Sequence, residues 1–241
     1  MQKNVEKMSI NYSPNFNIKK RPKKSIKFLI YHYTGMKSET ASIKKLTNIQ
    51  SEVASHYLIK KNGEIVIFVP DSYVAWHAGV SAWKKYKFLN QNSIGIEISN
   101  PGHQFGYKKF SLKQVNSLIK LSKFLIKKYK INKKNILGHS DIAPLRKKDP
   151  GENFPWKYLA KKNIGFWHNL KNNELNKLRN KKCNKILNNK FFANLYKIGY
   201  SKNYKKQNEK LLIKAFQRRF RPSLINGIID QECLLLSKNL A

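Results

Sequence analysis

Residues 111–151 read SLKQVNSLIKLSKFLIKKYK followed by INKKNILGHSDIAPLRKKDPG, a helix, a strand and a loop in succession. Ser111 can cap a helix, and Gln114 three residues on completes a capping box, in which each side chain satisfies a backbone N–H of the other. Val115, Leu118, Ile119, Leu125, Ile126 and Tyr129 then recur on one face at helical spacing, which predicts a helix over 111–130. Asn135 to Leu137 predicts a short strand, and Gly138 opens a polar loop that runs to Gly151.

Upstream of this block the period changes. Ile26 to His32 (IKFLIYH) is an apolar, β-prone run that predicts a buried strand, ended by Thr34-Gly35. A short helix is expected over about 39–49. His56 to Lys60 and Glu64 to Val69 flank Lys61-Asn62-Gly63, a strong hairpin signal because both Asn and Gly tolerate positive φ. Ile94 to Ser99 (IGIEIS) predicts another strand. Strands interleaved with helices predict an α/β (α+β) fold with a central mixed sheet flanked by helices.

Downstream, the pattern weakens into Lys/Asn-rich sequence around 160–180. Three short helical segments are expected after it, the first ending at Ile198-Gly199-Tyr200, the second over about 208–219, and the third over about 230–239 with Asp230 as its cap. The expected division is a loose lead-in over 1–24, a main domain over 25–165, a linker over 166–182 and a small three-helix domain over 183–241.

Of the 241 residues, 49 are basic and 13 acidic, a formal net charge of +36 that would attract nucleic acid, anionic lipid or a carboxylate-rich wall polymer. Lys and Asn abound everywhere, so biased composition explains the charge equally well, and charge alone assigns no function. No nucleic-acid-binding signature accompanies it. No stretch approaches the roughly 18 apolar residues of a membrane span. The N-terminus does not read as a secretory signal, so a cytoplasmic location is expected, with the cell envelope as the alternative. Cys183 and Cys233 lack metal-site spacing and read as core thiols, although a disulfide between them is also open.

The loop from Gly138 to Gly151 is the richest in chemistry. A catalytic zinc site has three protein ligands and an open position. His139 and Asp149 can supply two from opposite ends of the loop, and His32, at the end of a buried strand, is the best candidate for the third. A lone imidazole is more often an ordinary core or surface residue, so the set matters more than any member. Glu97 lies within IGIEIS, where a carboxylate between Ile96 and Ile98 is costly without a partner, which makes it a candidate general base. Lys147 could stabilise an oxyanion, but in a chain this basic a solvated lysine is the simpler reading.

The stretch GHSDIAPLRKKDPG resembles the signature of the zinc-dependent N-acetylmuramoyl-L-alanine amidases, the type-2 amidase family. YHYTGM around His32, SHYLIKKNGEI from Ser55, AWHAGVSAW from Ala75 and NSIGIEISN from Asn92 resemble further motifs of that family in the same order, over roughly residues 26–160. The resemblance implies one zinc ion on His32, His139 and Asp149, with Glu97 as the catalytic carboxylate and Lys147 steadying the tetrahedral intermediate. It also implies that Trp76 and His77 face the substrate. The phage-lysozyme branch carries a Cys and a Tyr where this chain has Asp149 and Ser55, so the chain looks like the branch using Asp and Glu. The substrate implied is peptidoglycan or its muropeptides, cut between the muramoyl group and L-alanine. The oligomeric state is not legible in the sequence, and a monomer is the expectation. The alternative is a recognition protein that binds peptidoglycan without cutting it. The stretch AFQRRFRPSLINGIIDQECLLL resembles the end of a three-helix peptidoglycan-binding domain, with Gly227 and Asp230 at its turn and helix start.

Overall fold

A computed structural model describes residues 8–241. The strands are β1 (Met8–Ile10), β2 (Phe16–Asn17), β3 (Phe28–Tyr33), β4 (Tyr57–Ile59), β5 (Ile65–Ile67), β6 (Val74–Ala75), β7 (Ala82–Trp83), β8 (Tyr86–Lys87), β9 (Ser93–Ile98) and β10 (Ile136–Gly138). The helices are α1 (Glu39–Thr47), α2 (Leu112–Tyr129), α3 (His139–Ile142), α4 (Trp156–Lys161), α5 (Asn172–Leu178), α6 (Lys185–Ile198), α7 (Glu209–Phe220) and α8 (Gln231–Leu240). Six strands form one sheet in the order β1-β5-β4-β9-β3-β10, in which only β4 and β5 run antiparallel. The expected mixed sheet with flanking helices is therefore the fold.

The sheet is covered on both faces, which is why its central strands read as unbroken apolar runs. Leu29 and Tyr31 of β3 join Ile94, Ile96 and Ile98 of β9 beneath Leu118, Leu121 and Leu125 of α2. Phe28 and Ile30, of opposite parity, join Leu137 of β10 and the helical residues Phe191, Phe216 and Leu236 in a second core. A strand alternates its side chains between faces, so β3 supplies both cores from six residues.

The capping box of α2 forms as expected, and Gln114 also donates to the Ser99 carbonyl at 2.8 Å, tying the helix start to the end of β9. The hairpin forms too, but with positive φ at Gly63 alone (φ 89°) and not at Asn62. The turn is closed by Gly63 N–H to the Lys60 carbonyl, a loop longer than a two-residue turn, which needs only one such residue. A Cβ at Gly63 would lie 3.0 Å from the Lys113 carbonyl, so the turn sits tight against α2.

Three expectations need correcting. The lead-in is not loose over its described part, because β1 adds a parallel edge strand to β5. Arg21 is buried there and donates to the carbonyls of Asp71, Asn90, Gln91 and Ser93. Residues expected as linker contain α5, and Phe166 and Leu175 are buried in the same core as the last three helices. The catalytic-type loop after β10 opens with the helical turn α3. Both cysteines are free, Cys233 buried and Cys183 half-buried. Among the described residues no helix is long and apolar enough to cross a membrane.

The last three helices are fastened to the sheet by a buried ion pair. Arg219 of α7 donates to the Asp141 carboxylate on α3 and to the Ile136 carbonyl at 3.0 Å. Its guanidinium lies 4.1 Å from the ring centre of Trp156, over the ring face. Asp141 also accepts from Gly138 N–H at 2.7 Å and from the Tyr200 hydroxyl at 3.0 Å.

Candidate metal centre and active-site cleft

The register of β3 against β9 pairs His32 with Glu97. Residues paired across parallel strands point to the same face, so these two side chains rise side by side at the carboxyl end of the sheet. His139 begins the helical turn that follows β10, the strand on the other side of β3. Asp149 is brought back by the loop itself, which closes with Ser140 N–H donating to the Asp149 carbonyl at 2.8 Å.

His32, His139 and Asp149 are the only group of three or more potential metal ligands gathered within ligating range among the described residues. His32 Nδ1 lies 3.0 Å from His139 Nδ1 and 3.1 Å from Asp149 Oδ2, and His139 Nδ1 lies 3.0 Å from the same oxygen. All three are buried. Burial raises the pKa of the Asp149 carboxyl, but the two imidazoles outweigh that and hold it well below the usual carboxylate range. Burial, then the proximity of His139, pushes His32 down to about 4 against the pull of Asp149. At neutral pH the Asp149 carboxylate is therefore an anion and His32 is neutral.

That donor set fits a metal ion. His139 Nε2 is 3.1 Å from the Ala78 carbonyl, an acceptor, and 3.4 Å from the Arg146 guanidinium, a donor; with its proton on Nε2, towards the nearer carbonyl, Nδ1 presents a lone pair. Lone pairs crowded at about 3 Å repel one another unless a proton or a cation sits between them. Two imidazoles and one carboxylate, with one side open to a cleft, match the three-ligand pattern of catalytic zinc sites.

The cleft above the cluster measures about 470 Å³ and is lined in part by Glu97, Lys147, Lys45, His103 and Arg146. Glu97 Oε2 is enclosed and has no hydrogen-bond partner. Burial, reinforced by the Asp149 charge, raises its pKa to about 8, although Lys147 and Lys45 oppose the rise. A dication on the three ligands would also oppose the rise. A carboxylate held without a partner at the rim of a cation site is placed to accept a proton from something bound there.

Of the sequence candidates, six come together in or beneath this cleft: His32, His77, Glu97, His139, Lys147 and Asp149. His77 is buried beneath the others, with ring nitrogens 3.0 Å from His32 and 3.1 Å from Ser93. Trp76 is not part of the lining. Its indole N–H donates to Asn17 Oδ1 at 2.6 Å, because successive residues at the end of β6 point to opposite sides. His103 was missed from sequence. It bonds the Tyr33 hydroxyl at 2.9 Å and Glu152 at 3.0 Å and stacks on Tyr107. Its only sequence signal was an imidazole in the loop directly after a strand end.

Residues 22–152 match the profile of the N-acetylmuramoyl-L-alanine amidase family. The chain is 36% identical over 229 residues to the N-acetylmuramoyl-L-alanine amidase AmiD of Escherichia coli, covering 89% of this chain and 82% of that protein. It is 42% identical over 113 residues to the 1,6-anhydro-N-acetylmuramyl-L-alanine amidase AmpD of Haemophilus influenzae, 46% of this chain and 59% of that one. The solved structure of E. coli AmiD with anhydro-N-acetylmuramic acid-L-Ala-D-gamma-Glu-L-Lys superposes with a TM-score of 0.77 at 35% identity, covering 93% of this chain and 91% of that chain. AmpDh3 of Pseudomonas aeruginosa with an anhydromuramic pentapeptide gives 0.78 at 28% identity, covering 100% of this chain and 96% of that chain. With the fold, the cluster and these likenesses in agreement, the chain is an enzyme of the N-acetylmuramoyl-L-alanine amidase family.

Proposed function

We propose that this chain is a zinc amidase that hydrolyses the amide bond between N-acetylmuramoyl groups and L-alanine in peptidoglycan fragments. The observation that carries the reading is the convergence of His32, His139 and Asp149 beside the unpartnered carboxylate of Glu97 in one cleft. His32, His139 and Asp149 would hold the zinc ion, which supplies a Lewis acid that brings the pKa of water down towards about 7 and polarises a carbonyl. Glu97 takes the proton of the attacking water. Lys147, which also lines the cleft, offsets the negative charge that develops on the lactyl carbonyl oxygen. As the C–N bond breaks, Glu97 returns its proton to the L-alanine nitrogen, which leaves as the amine.

The solved relatives hold anhydromuramoyl peptides, so these are the first substrates to test. The three C-terminal helices, over 185–240, are read as a peptidoglycan-binding module that brings the cleft to larger fragments. Purified zinc-loaded protein incubated with anhydromuramoyl peptides and with intact sacculi, followed by mass spectrometry, should yield free peptides beginning with L-alanine. Intact muropeptides after full incubation, with zinc bound, would sink the proposal.

A further inference from the structure

We propose that the His77–Ala78 dipeptide sets the tautomer of both imidazoles of the metal centre, His32 through the His77 side chain and His139 through the Ala78 carbonyl. The inference rests on the metal-centre reading above and makes His77 a positioning residue that acts on the metal site through His32.

The hydrogen bonds can be read in one direction from a fixed end. The Ser93 hydroxyl donates its single proton to the Leu89 carbonyl at 2.6 Å, so towards His77, 3.1 Å away, its oxygen can only accept. His77 therefore carries its proton on Nε2 and presents a lone pair at Nδ1. His32 Nε2 lies 3.0 Å from that lone pair and must donate to it. Its one remaining nitrogen, Nδ1, is then bare and faces His139 and Asp149. Ser93, His77 and His32 are all buried, which strengthens each link of this chain electrostatically.

His139 is fixed by the next residue along. Its Nε2 is 3.1 Å from the Ala78 carbonyl, which can only accept; Arg146, 3.4 Å from the same nitrogen, places its own N–H on that carbonyl, so the His139 proton sits on Nε2. One dipeptide thus orients both rings, and a single side chain holds the dipeptide. Asn90 Oδ1 accepts from His77 N–H at 3.1 Å and from Ala78 N–H at 2.6 Å. Gly95 provides the space, because a Cβ there would lie 2.5 Å from the His77 ring. Gly95 has no positive φ, so a glycine is required at this point of β9 by the imidazole and not by the backbone.

A metal-bound imidazole whose far nitrogen loses its acceptor typically binds its metal roughly 10- to 100-fold more weakly. The test compares wild type, His77→Ala and His77→Asn for zinc affinity by competition with a chromophoric chelator, with circular dichroism checking the fold. His77→Ala should lose about 10- to 100-fold in affinity. His77→Asn, whose amide oxygen can stand near the position of Nδ1, should recover part of that loss. Equal affinity in wild type and His77→Ala, or no recovery by His77→Asn, would overturn the proposal. Should the variants fail to fold, long-range proton–nitrogen NMR of zinc-loaded wild type decides. A proton on Nε2 of His77 supports the chain of donors, and a proton on Nδ1 overturns it. Wild type that binds no zinc at all would instead count against the metal-centre reading, and this inference would go with it.

Discussion

At the residue scale, Glu97 is the group whose chemistry depends most on its surroundings. An ordinary glutamate loses its proton near pH 4.5, whereas folded, metal-free protein holds the Glu97 proton up to about pH 8. The folded state binds that proton more tightly than the unfolded chain. Its contribution to stability is therefore greatest below about pH 4.5 and is lost as pH rises through about 8. Glu97→Gln removes this dependence. The metal-free variant should melt at a higher temperature than wild type near pH 9, with the gap closing towards about pH 4, as scanning calorimetry would read. In the zinc-loaded enzyme the same variant should lose at least about a hundredfold in kcat. Retained turnover would remove Glu97 from proton transfer. Its candidacy was legible in sequence because a carboxylate among isoleucines needs a reason. Trp76 shows the limit of adjacency: it neighbours His77 in sequence, but alternation turns it towards Asn17, away from the cleft.

At the scale of elements, α2 backs the central strands on the face opposite the His32 and Glu97 side chains. Its capping box satisfies the helix start, and Gln114 carries the same cap to the Ser99 carbonyl at the end of β9. Ser111→Ala should cost about 1 kcal/mol, read as a lower denaturant midpoint at unchanged slope. An unchanged midpoint would mean that water replaces the serine hydroxyl without loss. Local signals made α2, the hairpin and the last three helices legible, since caps, turns and 3.6-residue spacing are written within a dozen residues. Strand order was not legible. Nothing near His32 announces that Glu97 will pair with it, because register across parallel strands is decided by packing of residues far apart in the chain. Nor did β1, three residues long at the sheet edge, show any alternation to read. The four site residues of the loop and β3 were found through motif and chemistry, and the fold then explained how they meet.

At the scale of the whole molecule, the sheet is held between α2 on one face and the C-terminal helices on the other, and the second contact centres on Arg219 and Asp141. Both side chains are almost fully buried. Arg219→Leu would leave the Asp141 carboxylate with only the Gly138 N–H and the Tyr200 hydroxyl, an uncompensated charge that should cost about 3–5 kcal/mol. Adding Asp141→Asn to Arg219→Leu should recover much of that loss in a thermal or chemical melt. A single variant as stable as wild type would show that the helices are held by apolar contact alone. From sequence, Arg219 was one more cation in a chain of net charge +36, and nothing local distinguished it from the solvated ones.

Asp141 stands two residues from His139 in the same helical turn, so the clamp reaches directly into the loop that presents a ligand. The tail is consequently not an interchangeable accessory. A chimaera that joined this amidase portion to a foreign partner would have to import its own guanidinium for that carboxylate, or neutralise the carboxylate by design.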